Sequence, residues 1–195
     1  MMNRIVILTG IPGSGKTTVL DSAIPALLKE GVKYKSVNYG TVMLEIAKQM
    51  GLVKTRDEMR KLDPAKQKDI QKSAGKKISS MATTSSVIVD THCTINTPRG
   101  YLPGLPEWVL KEIMPDTIVL VEAGAENISV RRNKDTTRSR DAESVNEIQY
   151  HQDINRAASI ACCIMTGATT KIIKNEQNKL EYATKEMIKV LRNEN

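Results

Sequence analysis

Gly10-Ile11-Pro12-Gly13-Ser14-Gly15-Lys16-Thr17 fits the pattern G-x-x-x-x-G-K-T, and that spacing has a definite chemistry. Backbone N–H groups can wrap a phosphate only where side chains do not intrude, so glycines stand at the turns. The helix that follows aims the positive end of its dipole at the same phosphates. Lys16 is placed to reach the β- and γ-phosphates, and the Thr17 hydroxyl to ligate Mg²⁺. The motif follows an apolar run and opens a helical pattern, which separates a phosphate loop from an incidental Gly-rich turn. The candidate ATP-binding residues are therefore Gly10, Ile11, Pro12, Gly13, Ser14, Gly15, Lys16, Thr17 and Thr18.

Asp90 ends the run Val-Ile-Val-Asp (87–90). An acid at the end of a buried strand beside the loop is where such a protein holds Mg²⁺, through water. The alternative is a turn or cap aspartate. His92 follows and can donate to a phosphate, or it can be purely structural. Arg138-Ser139-Arg140 lies in the short polar linker KDTTRSRD. In an extended segment, residues two apart share a side, so both guanidiniums can face the charge that develops in phosphoryl transfer. Such a flap would also exclude water. Without a phosphate loop, the same residues would read as an exposed basic loop. Arg131 and Arg132 are on the preceding helix, and Arg131 is the better candidate to face the nucleotide. Arg56 and Arg60, four apart, share a helix face. They can grip a second phosphate or pair with local acids such as Asp57 and Asp63. The spacing of a zinc site is absent.

Alternating elements must position these residues. IVIL (5–8), VIVD (87–90), TIVLVE (117–122) and TKIIK (170–174) read as buried strands, with YKSVN (34–38) a weaker fifth. Runs apolar on both faces suit a parallel sheet with helices on both sides. Helices are expected from Gly15 to Glu30, from Thr41 to Met50, and from a Thr55 cap to Leu62. Others open at Asp63-Pro64, at the Ser144-x-x-Glu147 capping box and near 179. Residues of about 38–65 form an insertion too long for a simple crossover. TPRGYLPGLP (97–106), rich in Gly and Pro, is expected to be a rigid loop at the ligand-binding edge of the sheet.

The chain has 195 residues, a net charge of +7, 3% aromatic residues and no Phe. That length suits one domain with a sizeable core. Its lysines are scattered with few aromatics among them, so nucleic acid is the less favoured partner for the charge. Three cysteines without framework spacing fit a reducing compartment. The apolar run 5–8 is too short for a signal peptide, and no stretch approaches the ~18 apolar residues of a membrane helix. A cytoplasmic protein is expected.

Together these residues resemble the archaeal-type adenylate kinases, a branch of the nucleoside monophosphate kinases within the P-loop superfamily. The resembling stretches are TGIPGSGKTTVL, NYGTVMLEIAK, RDEMRKLDPAKQK, VIVDTH, TPRGYLPGLP and DTTRSRD, spread over nearly the whole chain. The resemblance implies a five-stranded parallel P-loop α/β core (1–37, 66–135 and 141–195). It adds a helical AMP-binding lobe at about 38–65 and a short lid at about 136–140. It implies ATP and AMP as substrates, Mg²⁺ bound with ATP, and no zinc, since the four-Cys lid pattern is missing. Lys16, Arg131, Arg138 and Arg140 take the catalytic roles. Asn38, Tyr39, Gly40, Thr41, Arg56, Arg60, Asp90 and His92 fall to the AMP side. Relatives of this branch form homotrimers, and no membrane is involved. Three rivals stand beside it: a UMP or CMP kinase, a GTPase and an RNA-associated ATPase switch in ribosome maturation. A GTPase is disfavoured, because Asp135 follows Asn133-Lys134 directly and the N-K-x-D motif needs one residue between.

Overall fold

A computed structural model describes residues 3–134 and 143–194. Five strands, β1 (Ile5–Thr9), β2 (Tyr34–Asn38), β3 (Ser86–Asp90), β6 (Thr117–Glu122) and β7 (Thr169–Lys174), form one sheet in the order β2-β3-β1-β6-β7. Every pairing in it is parallel. β1, β3 and β6 are the Val/Ile-rich runs, and they occupy the three central places because both of their faces are covered. YKSVN, the least apolar run, takes an edge and stays half-exposed.

The period-2 alternation of β1 divides the core. Ile5 and Ile7 pack with α2 (Tyr39–Gln49), α4 (Pro64–Ala82), α5 (Glu107–Ile113) and α7 (Val145–Thr166). Val6 and Leu8 face the other way, into α1 (Lys16–Lys29) and α8 (Leu180–Arg192). A third, smaller cluster sets Ile11 of the phosphate loop on Ile128 of α6 (Ala125–Lys134) and Ile148 of α7.

The helix starts follow their caps. Thr55 Oγ accepts from Glu58 N ahead of α3 (Arg56–Arg60), and Asp63 caps α4 with Pro64 in its first turn. Ser144 and Glu147 complete a reciprocal capping box at α7. The second helix begins at Tyr39 rather than Thr41, because the Asn38 side chain accepts from Thr41 N and so caps it two residues earlier.

The stretch expected to be a rigid loop is largely a hairpin. β4 (Thr94–Thr97) pairs antiparallel with β5 (Gly100–Pro103), and Pro106 then leads into α5. The Gly and Pro residues mark the turn and the ends of this ribbon. Among the described residues, no helix is long and apolar enough to cross a membrane.

Candidate active site

The phosphate loop leaves the C-terminal end of β1, at the centre of the sheet. The chain order reverses on either side of β1, and that crevice is where open α/β sheets bind ligands. Gly10 has φ +152°, and a Cβ there would lie 2.4 Å from the Val121 carbonyl oxygen. Gly15 has φ +86°, and its Cβ would lie 2.3 Å from Asn175 Nδ2. Only glycine meets both demands. The loop carbonyls are tied from outside. His92 Nδ1 donates to Gly10 O at 2.8 Å, Arg132 Nε to Pro12 O at 2.8 Å, Arg131 Nη1 to Ser14 O at 3.2 Å and Asn175 Nδ2 to Ser14 O at 3.0 Å.

Lys16 turns its ammonium to Asp90, donating to Oδ1 at 2.9 Å. The other Asp90 oxygen accepts from Asn38 Nδ2 at 3.3 Å. Asn38 Oδ1 accepts from Thr41 Oγ1 at 3.2 Å, and Thr41 Oγ1 in turn accepts from Arg56 Nη2 at 3.1 Å. One polar chain thus runs from the phosphate-loop lysine to the inserted lobe. Its far end is exposed, so an anion can reach Thr41 and Arg56. Arg60 is not part of it. It pairs with Asp57 at 3.2 Å, with both side chains mostly in solvent. Tyr39 is buried, and its hydroxyl donates to Gln71 O on α4. Gly40 lies at the start of α2 against Asn38 and Arg56.

His92, expected on the acceptor side, has its Nδ1 on the phosphate loop. Burial, helped by the Lys16 charge, pushes the His92 imidazole down to about 4, against the hydrogen bond to Gly10 O and the Asp90 charge, which raise it. It is therefore neutral, and a carbonyl partner requires that Nδ1 carry the proton.

An open cleft adjoins the loop between α6 and the segment after β7. Gly15 forms part of its wall, with Thr18, Arg131, Asn175, Glu176, Asn178 and Leu180 around it. Arg131 is fixed across it by a second bond, Nη2 to Asn175 O at 2.8 Å. Glu176 accepts from Gly124 N and Asn127 Nδ2, both at 3.0 Å.

The family model described as AAA domain matches residues 9–149. The adenylate kinase of Methanocaldococcus jannaschii is 56% identical over 192 residues, 98% of this chain and 100% of that protein. The adenylate kinase of Methanothermobacter thermautotrophicus is 55% identical over 188 residues, 96% of this chain and 99% of that protein. The chain belongs to the adenylate kinase family. Looser likenesses bear on the fold alone. A sugar kinase from Janibacter sp. HTCC2649 superposes with a TM-score of 0.51 at 14% identity, covering 97% of this chain and 95% of that one. Another solved structure gives 0.55 at 16% identity, covering 98% and 96%.

Within this adenylate kinase fold, Gly10 to Thr18, Asp90, Asn38 to Thr41 and Arg56 converge on one edge of the sheet. Arg138 and Arg140 lie outside the described residues. Sequence reasoning missed Asn175, Glu176 and Asn178, which come from the far end of the chain. It left Arg132 open, and Arg131 and Arg132 both reach loop carbonyls. It also missed Glu122, a fully buried carboxylate at the end of β6 held by Arg156 Nε at 2.8 Å and Lys174 Nζ at 2.6 Å.

Proposed function

We propose that the chain catalyses the reversible transfer of the terminal phosphoryl group of ATP to AMP, giving two ADP. The carrying observation is the polar chain Lys16–Asp90–Asn38–Thr41–Arg56, which links a phosphate cradle to a second cationic site across one crevice. ATP phosphates lie on the loop, with the adenine in the cleft beside Thr18, Arg131 and Asn178. The AMP phosphate sits at Thr41 and Arg56, and Arg60 joins by giving up its exposed pair with Asp57, which is worth little. Lys16 turns from Asp90 to the transferred phosphoryl group. Arg131, with Arg138 and Arg140 of the short lid at about 136–140, adds charge there. Residues of about 38–65 act as the acceptor lobe. The attacking phosphate oxygen is already anionic, so no side chain need remove a proton. Positioning and charge stabilisation do most of the catalysis.

The donor set suits magnesium. The Thr17 hydroxyl and Asp90 carboxylate are hard oxygen donors, and Mg²⁺ is ordinarily held by one or two such groups plus nucleotide phosphates. Thr17 would hold it directly and Asp90 through water; when bound it neutralises phosphate charge.

A homotrimer in a reducing cytoplasm completes the reading. Ile160, Ile164 and Met165 of α7, and Ile95 and Leu102 of the hairpin, are exposed apolar side chains that further copies would cover. Light scattering should give about three chain masses. The deciding experiment is a coupled assay with Mg²⁺, ATP and AMP, UMP, CMP or GMP. ADP formed with AMP in the absence of RNA supports the proposal. Preference for UMP or CMP, or RNA-stimulated hydrolysis without an AMP requirement, overturns it.

A further inference from the structure

The loop's two outer contacts on the side away from the base cleft come from residues that no step of the transfer uses. His92 stands two residues past Asp90 and points its Nδ1 at Gly10 O, 2.8 Å away. Gly10 is the residue at which β1 turns into the loop, where the backbone takes φ +152°. Arg132 donates Nε to Pro12 O at 2.8 Å, and its Cγ lies 3.0 Å from where a Gly13 Cβ would stand. Its guanidinium is in turn held by Glu143 through Nη1, and Glu143 Oε1 accepts from Asn96 Nδ2 of β4 at 2.9 Å. Two separate elements, the segment after β3 and the α6–α7–β4 corner, therefore pull loop carbonyls outward. A peptide whose C=O is held outward keeps its plane fixed, so the neighbouring N–H groups remain turned to the phosphate side before any nucleotide arrives.

We infer that His92 and Arg132 are positioning residues that brace the outer face of the phosphate loop, and that His92 serves the ATP side rather than the AMP side. Their role presupposes that this loop holds the ATP phosphates. A loop that must be ordered on binding charges that ordering against ATP affinity. A hydrogen bond to the loop is worth about 3- to 10-fold in an equilibrium constant when the donor is neutral, as in His92, and about 10-fold or more when it is charged, as in Arg132. The acceptor site does not feel this loss, since its contacts run through Asn38, Thr41 and Arg56.

The test compares His92→Leu, His92→Asn, Arg132→Met and Arg132→Lys with the wild-type chain. Asn places an amide N–H near the position of Nδ1, and Met keeps the stem that packs on Gly13 without the donor. The expected result is a rise in both the KM for ATP and the calorimetric Kd for MgATP, about 3- to 10-fold for His92→Leu and about 10-fold or more for Arg132→Met. The KM for AMP stays unchanged, and His92→Asn recovers most of the His92 effect. A KM rise confined to AMP returns His92 to the acceptor site and overturns the inference, as does unchanged ATP binding in both donor-less variants. Should those variants fail to fold, ¹⁵N spectra of the wild-type imidazoles decide. A proton on Nδ1 of His92 supports the brace, and a neutral ring protonated only on Nε2 rules it out. Failure of the wild-type chain to make ADP from ATP and AMP would instead sink the underlying reading, so the two failures are distinct.

Discussion

Lys16 and Asp90 sit 2.9 Å apart with little solvent around them, so each blunts the other's charge until a triphosphate arrives. The phosphates then offer Lys16 several anionic oxygens in place of one carboxylate. Lys16→Ala should lower kcat by about 10²–10³-fold, the usual loss when one preorganised charge-stabilising donor is removed from a transition state, and should weaken ATP binding as well. On the proposed placing of Arg138 at the transferred group, Arg138→Ala should lower kcat while MgATP affinity survives. Steady-state kinetics with calorimetric titration separate the two, and near-normal turnover in Arg138→Ala would remove that residue from its role. The legible part of the site was the part whose chemistry is local. Eight consecutive residues specify the phosphate loop, and Asp90 is found by its place at a strand end. Asn175 and Glu176 could not be found that way. They reach the loop only because β7 lies beside β6, a pairing that single residues do not announce. Arg132 was ambiguous because adjacent residues diverge by about 100° on a helix, yet the loop curls past α6 so that both arginines touch it.

At the scale of elements, the close approach of α4 and α5 rests on Gly75. A Cβ there would lie 2.8 Å from Glu112 Cβ and 3.6 Å from the Val109 carbonyl oxygen. Gly75→Ala gains up to ~1 kcal/mol of helix propensity but must push two helices apart, an overpacking that costs ~1–3 kcal/mol. The expected net effect is a lower urea midpoint with kcat unchanged, since neither helix carries a group assigned to substrate. A variant as stable as wild type would mean the interface has room that the backbone geometry denies. Element recognition from sequence worked where the signal was dense. Four β-branched runs and the weaker YKSVN became the five sheet strands, and Thr55, Asp63 and Ser144 each capped the helix they were expected to open. It failed for β4, β5 and α5. The hairpin strands have four residues each and are largely exposed, so no apolar alternation marks them. Seven residues of α5 are too few for a helical period to separate itself from a short apolar run.

For the molecule as a whole, acid sensitivity follows from an economy of imidazoles: the sequence has only two histidines, and the fold lowers the proton affinity of both. Burial and the Lys16 charge push His92 down to about 4. Burial likewise lowers His151 on α7, against the pull of the Thr94 backbone and the Glu143 charge. In the unfolded chain both would take up a proton near the ordinary ~6.5. Below that pH the unfolded state binds more protons than the native one, so stability falls as pH falls. The His92 contribution continues to drop until its own folded value near 4 is reached. Between pH 7.0 and 5.5, His92 alone should remove about 1 kcal/mol, and His151 acts in the same direction. The range lies more than a pH unit above the ordinary Asp and Glu values of ~3.9 and ~4.3, so carboxylates contribute little there. Even Glu122, whose burial raises it, is brought below the usual range by hydrogen bonds from Arg156 and Lys174. Urea unfolding at the two pH values, without nucleotide or magnesium, measures the loss. The double variant His92→Asn, His151→Gln removes both titrations, so most of the loss between pH 7.0 and 5.5 should disappear in it. A wild-type chain equally stable at both would mean that its imidazoles protonate as freely folded as unfolded. A slope that persists in the double variant would assign the acid sensitivity to other groups.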